Sequence, residues 1–167
     1  GDELDIVLMG DDLGTQQSSV ISPALYRKLL KPLHAKLIGA VKQHSKAKIF
    51  FHSDGNIYTL LGDLIEIGVD IINPVQVSAG DMGDTADLKR KFGTNLSFCG
   101  AIDTGWVLPR GTPADVRNEV RRRIADLGPG GGYILASVHC IQPDVPIDNI
   151  LALFDEALVA GKYPLHL

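Results

Sequence analysis

Five short apolar runs alternate with longer stretches of helical periodicity, and this alternation constrains the fold more than any other feature of the chain. The runs are Asp5–Met9, Lys48–His52, Val69–Asn73, Leu96–Ile102 and Tyr133–Val138. Long helix-like segments separate every pair of runs, so the pattern predicts parallel strands joined by crossover helices. The runs are apolar almost throughout, as expected for strands that are covered on both faces. The sequence therefore predicts an α/β protein.

Helix start and stop signals lie between the predicted strands. The predicted helices are Pro23–His44, Tyr58–Ile67, Thr85–Phe92, Pro113–Leu127 and Asp148–Ala160. Ser22 and Thr112 are predicted N-caps, each followed by a proline at the first helical position, and Pro32 is expected to kink or divide the first helix. The glycine-rich segment 128–132 follows a helix and opens a strand, so it is interpreted as a turn and not as a phosphate-binding loop.

Two architectures fit this order of elements. One is an open, doubly wound sheet of the flavodoxin type, a fold that is complete at about this chain length. The other is five of the eight units of a (β/α)8 TIM barrel, a fold that typically takes about 250 residues. The pattern of a 167-residue chain favours the first by itself. The residues at the strand ends favour the second, with residues 1–167 forming a single domain.

Polar side chains follow every predicted strand at its carboxyl end. In chain order they are Asp11, Asp12 and Gln16; His52 and Asp54; Asn73 and Gln76; Asp103; and His139 and Cys140. In parallel α/β folds the active site is built at this edge, where several strand ends converge on one mouth. Because all five strands contribute, the sequence predicts an enzyme.

The His52-x-Asp54 pair carries the most specific chemistry. Residues i and i+2 of an extended segment point the same way, so the two side chains can share one metal ion or form an acid–base pair. His139 or Cys140 would supply a third ligand and leave an open position, which is the arrangement of catalytic zinc. The alternative is that His52 ends the strand and Asp54 makes an Asx-turn with Gly55.

The remaining polar residues each have a functional and a structural interpretation. Asp11 and Asp12 are either paired carboxylates for acid–base work or turn residues. Asn73 and Gln76 either orient a ligand through their amides or satisfy the loop backbone. Asp103 is either a catalytic acid or a cap at the strand end.

Composition excludes several classes of partner. The net charge of −4 gives no basic face for a nucleic acid, and no apolar run is long enough for a membrane helix. The presence of only two cysteines favours a reduced, cytoplasmic setting. Cys99 is expected to be a small buried hydrophobic residue of its strand, and Trp106 is expected to pack in a loop. The chain opens on Gly1 and enters a strand at once, which favours a fragment, a processed chain or a trimmed one.

Ordered phrases along the whole chain resemble the C-terminal half of the uroporphyrinogen decarboxylase superfamily. The phrases are Gly10–Gln16, Ile21–Pro23, His52–Gly55, Leu64–Asp70, Asn73–Gln76, Gly111–Pro113, Gly130–Ile134 and His139–Pro143. The family fold is a (β/α)8 barrel of about twice this length. The resemblance therefore implies that this chain is roughly the five C-terminal βα units of such a barrel.

The resemblance is closer to the corrinoid-linked methyltransferases than to the decarboxylases. In that branch a His-x-Cys pair and a later cysteine bind zinc, which holds an acceptor thiol as the thiolate that attacks a methyl-corrinoid. His52 matches the first ligand, Asp54 stands where the cysteine would be, and His139 or Cys140 stands at the third. This harder donor set favours a different methyl acceptor, or demethylation of a methoxylated substrate.

The resemblance implies a set of roles. The catalytic residues would be Asp12, His52, Asp54 and His139, and the substrate-binding residues Asp11, Gln16, Asn73, Gln76 and Asp103. Zinc and a corrinoid are the expected cofactors, and a small-molecule substrate, a corrinoid protein and the rest of the barrel (or a second copy of the chain) are the expected partners.

Two alternatives remain open. The first is a porphyrinogen decarboxylase, which needs no metal or cofactor and in which His139 and Asp103 would contact the substrate. The loop Gly10–Gly14 lacks the Phe-Asp-Ser-Trp phrase typical of those enzymes. The second is a catalytically silent half-barrel that pairs its open sheet edges with another chain.

Overall fold

A single five-stranded parallel sheet organises the protein. The structure is a computed structural model that describes residues 3–165, so the opening Gly1 and Asp2 and the closing His166 and Leu167 lie outside it. The strands are β1 (Ile6–Gly10), β2 (Lys48–His52), β3 (Ile71–Val75), β4 (Ser97–Ile102) and β5 (Tyr133–Ser137). They lie side by side in chain order and every pair is parallel, which confirms the predicted α/β architecture.

Helices connect the strands and cover one face of the sheet. They are α1 (Pro23–Leu29), α2 (Lys31–His44), α3 (Leu61–Glu66), α4 (Thr85–Phe92), α5 (Val107–Arg110), α6 (Pro113–Leu127) and α7 (Ile147–Ala160). Pro32 lies in the first turn of α2 and divides the long predicted helix as expected. Both predicted N-caps are confirmed, and Thr112 forms a full capping box with Asp115.

Several local predictions differ from the structure. The segment predicted as one helix from Tyr58 begins with a 3-10 turn, and α3 starts at Leu61. The third strand starts two residues later than predicted and continues through Pro74, since Val75 pairs with Gly100 after a shift of register. Trp106 was expected to pack but is 62% exposed, because α5 forms directly after it and turns its own Leu108 into the core instead.

The core lies between the sheet and the helices. Alternate strand residues, among them Ile49, Phe51, Ile72 and Phe98, are buried beneath the helix layer. The other face of the sheet is less covered: Ile6 and Leu8 on β1 are 46% and 70% exposed, and Ile134 on β5 is 43% exposed. None of the helices within residues 3–165 is long and apolar enough to span a membrane.

Candidate active site

Two loops meet at the carboxyl edge of the sheet and build the site. The loop after β1 donates the backbone N–H of Leu13 to the buried hydroxyl of Ser53, at 2.9 Å. In the opposite direction, the backbone N–H of Asn56 in the loop after β2 donates to the carbonyl of Thr15 at 2.7 Å. Such backbone pairing fixes one loop against the other, so the side chains carried by both are held in a defined arrangement.

A pair of glycines allows the two loops to approach. A Cβ on Gly14 would lie 2.5 Å from the carbonyl oxygen of Asp54, and one on Gly55 would lie 2.4 Å from the carbonyl carbon of Gly14. Gly55 also has a positive φ of 84°, which other residues adopt at a cost. The close contact of backbones therefore depends on both glycines.

Asp12, His52 and Asp54 converge at this contact. One potential ligand atom from each lies within 4.8 Å of the other two, and His52 Nε2 is 3.7 Å from Asp54 Oδ2. Asp12 Oδ1 also accepts the backbone N–H of Asp54 at 3.1 Å, which orients its carboxylate.

Asp54 does not make the turn that the structural interpretation required. An Asx-turn would use the N–H of Asn56, two residues on, and that group donates to the carbonyl of Thr15. The Asx-turn alternative is therefore wrong, and the carboxylate faces His52 instead.

Asn73 holds the imidazole of His52 from the side opposite Asp54. The two residues are direct partners across β2 and β3, and His52 Nδ1 lies 2.7 Å from Asn73 Oδ1. An amide oxygen only accepts, so Nδ1 is the donor in this hydrogen bond. Asn73 was predicted to bind substrate, whereas its oxygen is occupied by this histidine.

A cavity of about 460 Å³ opens beside these residues. It is lined by Gly14, Thr15, Gln16, Asp54, Gly55, Gln76, Thr104, Val138 and His139. Three strand ends beyond the first two loops thus contribute, and the predicted residues Gln16, Gln76 and His139 lie at the cavity. The ring of His139 is exposed, with its centroid 6.4 Å from that of His52.

Other predicted site residues lie elsewhere or are engaged by the protein. Oδ2 of Asp11 lies 3.4 Å from Nε2 of His34 on α2, whereas Asp12 accepts the backbone N–H of Asp54, so the two acids have different partners. Asp103 uses both oxygens to accept backbone N–H groups of residues 105–107, which is the capping role. Cys140 is an exposed free thiol outside the metal-ligand set found in residues 3–165.

Sequence reasoning missed a partly buried network behind the site. His34 Nδ1 lies 3.3 Å from the hydroxyl of Tyr26, so His34 connects the tyrosine to Asp11. Burial, with Asp63 nearby, raises the pKa of Tyr26 to about 12. Both residues sit at ordinary helix positions, and no local pattern marked them. Ser53 and Thr104 were also missed. Each directly follows a predicted site residue, and this adjacency was the signal that could have identified them.

The donor set suits a divalent cation. Imidazole nitrogens and carboxylate oxygens are both zinc ligands, and three protein ligands leave a coordination position open. Two donors bound to one zinc ion at tetrahedral angles are about 3.3 Å apart, close to the 3.7 Å between His52 Nε2 and Asp54 Oδ2. Asp12 therefore joins His52 and Asp54 as the residues able to hold a metal, in the place that the sequence gave to His139 or Cys140.

Comparisons with known proteins agree with this architecture. The protein is 23% identical over 155 residues to a uroporphyrinogen decarboxylase of Coxiella burnetii (strain Dugway 5J108-111), a match that covers 90% of this chain and 39% of that protein. A shorter stretch of 64 residues is 38% identical to the decarboxylase of Actinobacillus succinogenes, covering 38% of this chain and 18% of the relative.

A solved structure shares the fold. The methyltransferase from Methanosarcina mazei superposes with a TM-score of 0.71 at 21% identity, covering 91% of this chain and 41% of the other. The chain thus spans about two fifths of the length of the two proteins that match nearly all of it, namely 39% of the Coxiella burnetii protein and 41% of the Methanosarcina mazei protein. The sheet is accordingly a partial (β/α)8 barrel.

The family model described as uroporphyrinogen decarboxylase (URO-D) matches residues 4–158, which is nearly the whole chain. The resemblance carried by the strand-end phrases is confirmed, and the protein belongs to the uroporphyrinogen decarboxylase family.

Proposed function

We propose that this chain forms the metal-binding side of an active site that transfers a methyl group in partnership with a corrinoid. The observation that carries the proposal is the convergence of Asp12, His52 and Asp54 on one point at the carboxyl edge of the sheet. The fold shared with a methyltransferase from Methanosarcina mazei supports it. A bound zinc ion would supply Lewis acidity to the acceptor of the methyl group.

The residues of the chain have separable tasks in this proposal. His52 would offer Nε2 to the metal, because its Nδ1–H donates a hydrogen bond to Asn73 Oδ1. Asp54 and Asp12 offer carboxylate oxygens, and each can also take up the proton that an O–H or S–H acceptor loses when it is methylated. Gln16 and Gln76 line the cavity where the acceptor would lie.

Zinc binding by paired variants tests the metal centre. Titration of the metal-free protein with zinc should show one site, and Asp54→Asn should weaken it at least about 10-fold, because even the outer partners of zinc ligands typically contribute that much. Asp103→Asn is the matched control, since this acid caps the loop after β4 and should leave zinc affinity unchanged. Equal affinities for the two variants would remove Asp54 from the site.

A second substitution probes the choice of donor. Asp54→Cys creates the His-x-Cys pair expected in the methyltransferase branch and should tighten zinc binding, because thiolates are stronger ligands for zinc than carboxylates. The rate of methylcobalamin demethylation can be measured from the change in its absorbance. The ratio of the rate with a thiol acceptor to the rate with an oxygen acceptor should then be higher in the variant than in the parent. Unchanged acceptor preference would contradict a role for Asp54 in acceptor selection.

Decarboxylation of a porphyrinogen is the second candidate function. It is favoured by the curated relatives, which are uroporphyrinogen decarboxylases. His139 would contact substrate here, since it lines the cavity. An assay for carbon dioxide released from uroporphyrinogen separates the candidates, because turnover that persists in the presence of a chelator supports decarboxylation and argues against the metal centre.

The open edges of the sheet bear on both candidates. Within residues 3–165, β1 and β5 each pair with one neighbouring strand, and Leu8 and Ile134 are exposed on the less covered face. We propose that further βα units, the part of the relatives that this chain does not span, cover these residues and complete the cavity. Turnover should be absent from residues 1–167 alone and appear when the remaining units are supplied; an inert complete protein would support the silent half-barrel.

A further inference from the structure

The amide of Asn73 holds the imidazole of His52 on the less covered face of the sheet. Its oxygen lies 2.7 Å from His52 Nδ1 on the neighbouring strand β2. Its other neighbour is the thiol of Cys99 on β4, where the Asn73 side chain offsets part of the pKa increase that burial causes. Asn73 therefore lies between His52 on β2 and Cys99 on β4.

The direction of the hydrogen bond between His52 and Asn73 determines the imidazole tautomer. The Asn73 amide oxygen faces His52 and can only accept, so Nδ1 must donate. The lone pair then resides on Nε2, the atom that lies 3.7 Å from Asp54 Oδ2. The opposite tautomer would place a proton between His52 and the two carboxylates, and that proton would block a cation.

We infer that Asn73 is a positioning residue, which holds His52 as the Nδ1–H tautomer and thereby aims the Nε2 lone pair at Asp12 and Asp54. The inference rests on the proposed metal centre and deepens it by identifying what prepares its one nitrogen ligand. Ligand histidines in metal sites commonly donate their second ring N–H to an oxygen in this way. Asn73 acts through His52 and does not touch the reacting groups.

Nitrogen-15 NMR of the imidazole rings in the metal-free protein tests the inference without any catalytic readout. At pH about 9, where free imidazoles are neutral, His52 of the parent protein should show a protonated Nδ1 and an unprotonated Nε2. Asn73→Leu, similar in size and without an acceptor, should shift His52 toward the Nε2–H tautomer. Asn73→Asp retains an acceptor oxygen and should keep the parent tautomer.

Zinc titrations of the same proteins give the second readout. Asn73→Leu should weaken zinc binding about 10- to 100-fold, the usual effect of removing such a partner, while Asn73→Asp should bind zinc within a few-fold of the parent. Asn95→Leu is the matched control, because Asn95 is exposed at the opposite edge of the sheet, before β4.

The outcomes separate this inference from the proposed function. A parent protein with Nδ1–H on His52 that binds no zinc would refute the metal centre and leave the positioning role of Asn73 intact. The Nε2–H tautomer in the parent, or one tautomer shared by the parent and Asn73→Leu, would overturn the positioning role whatever the zinc affinity. Should Asn73→Leu fail to fold, the parent spectrum and Asn73→Asp still decide the question.

Discussion

The carboxylate of Asp12 accepts a hydrogen bond from the backbone N–H of Asp54 at 3.1 Å, across 42 residues of sequence. This contact joins the loops after β1 and β2 and brings two acids and His52 together. The carboxylate of Asp11, the neighbour of Asp12, lies 3.4 Å from the imidazole of His34. Two adjacent and chemically identical residues thus have different surroundings, which makes them a natural pair for experiment.

Asp12→Asn should weaken zinc binding at least about 10-fold, because the variant loses a charged ligand. An amide oxygen can still accept the N–H of Asp54, so the fold of the loop should persist. Asp11→Asn is the matched control and should leave zinc affinity unchanged, as measured by calorimetric titration. If the two variants bind zinc equally well, Asp12 is not a ligand.

Gly14→Ala should destabilise the protein by about 1–3 kcal/mol, the usual cost of forcing atoms into a packed site. The added methyl group would lie 2.5 Å from the carbonyl oxygen of Asp54 and 2.7 Å from the backbone of Gly55, so the loops must separate. Urea unfolding gives the change in the free energy of unfolding. Zinc affinity should fall as well, because the separation parts Asp12 from Asp54.

Gly39→Ala is the control for that prediction. Gly39 lies within α2, and a Cβ there meets nothing within 4 Å. Alanine favours the helix by up to about 1 kcal/mol over glycine, so this variant should be equal to the parent or more stable. A Gly14→Ala variant as stable as Gly39→Ala would show that the loops are not in close contact.

The fold was largely predictable because its signals are local. Ser22, Thr112 and Pro32 mark helix starts through their own backbone chemistry, and the structure confirms all three. The end of β3 was not predictable, since it depends on how Val75 pairs with Gly100 on β4 after a shift of register. Such pairing is a property of two segments and leaves no mark on either.

The site was predictable in place and less so in composition. The strand-end pattern predicts which edge carries the polar residues, and His52 and Asp54 share a face because they are two apart on an extended segment. The third member, Asp12, depends on the contact between Gly14 and Gly55, which only the folded chain shows. His139 was a natural choice from the sequence, but its ring centroid lies 6.4 Å from that of His52.

Asn149→Ala should destabilise the protein by about 1–3 kcal/mol, since it leaves two carbonyl groups without their donor. The buried side chain of Asn149 on α7 donates to the carbonyls of Leu108 and Gly111, both at 2.8 Å, and so attaches α5 to α7. Asn118→Ala, at an exposed position of α6, should change the free energy of unfolding by no more than about 0.5 kcal/mol. Urea unfolding compares the two, and equal effects would contradict the bridging role.

The stabilising effect of Glu156 should be lost in acid. The side chain is buried on α7 and accepts two hydrogen bonds from Arg121 of α6, at 2.6 and 3.1 Å. These bonds hold the pKa of Glu156 below the ordinary value of 4.5, against the opposing effect of burial. A carboxyl whose pKa is lower in the folded state stabilises that state above its ordinary pKa and loses this effect as the pH falls.

Glu156→Gln should therefore lower the free energy of unfolding most near neutral pH, and its difference from the parent should shrink as the pH falls through 4.5 and below. Asp155→Asn is the matched control. This neighbouring acid is exposed, and its ion pair with Arg117 is long, at 3.9 Å. Its difference from the parent should stay small from pH 7 to about pH 3, as expected of exposed ion pairs. Thermal unfolding followed at several pH values makes the comparison, and a Glu156→Gln difference that is constant with pH would mean that the ion pair with Arg121 does not hold α6 and α7 together.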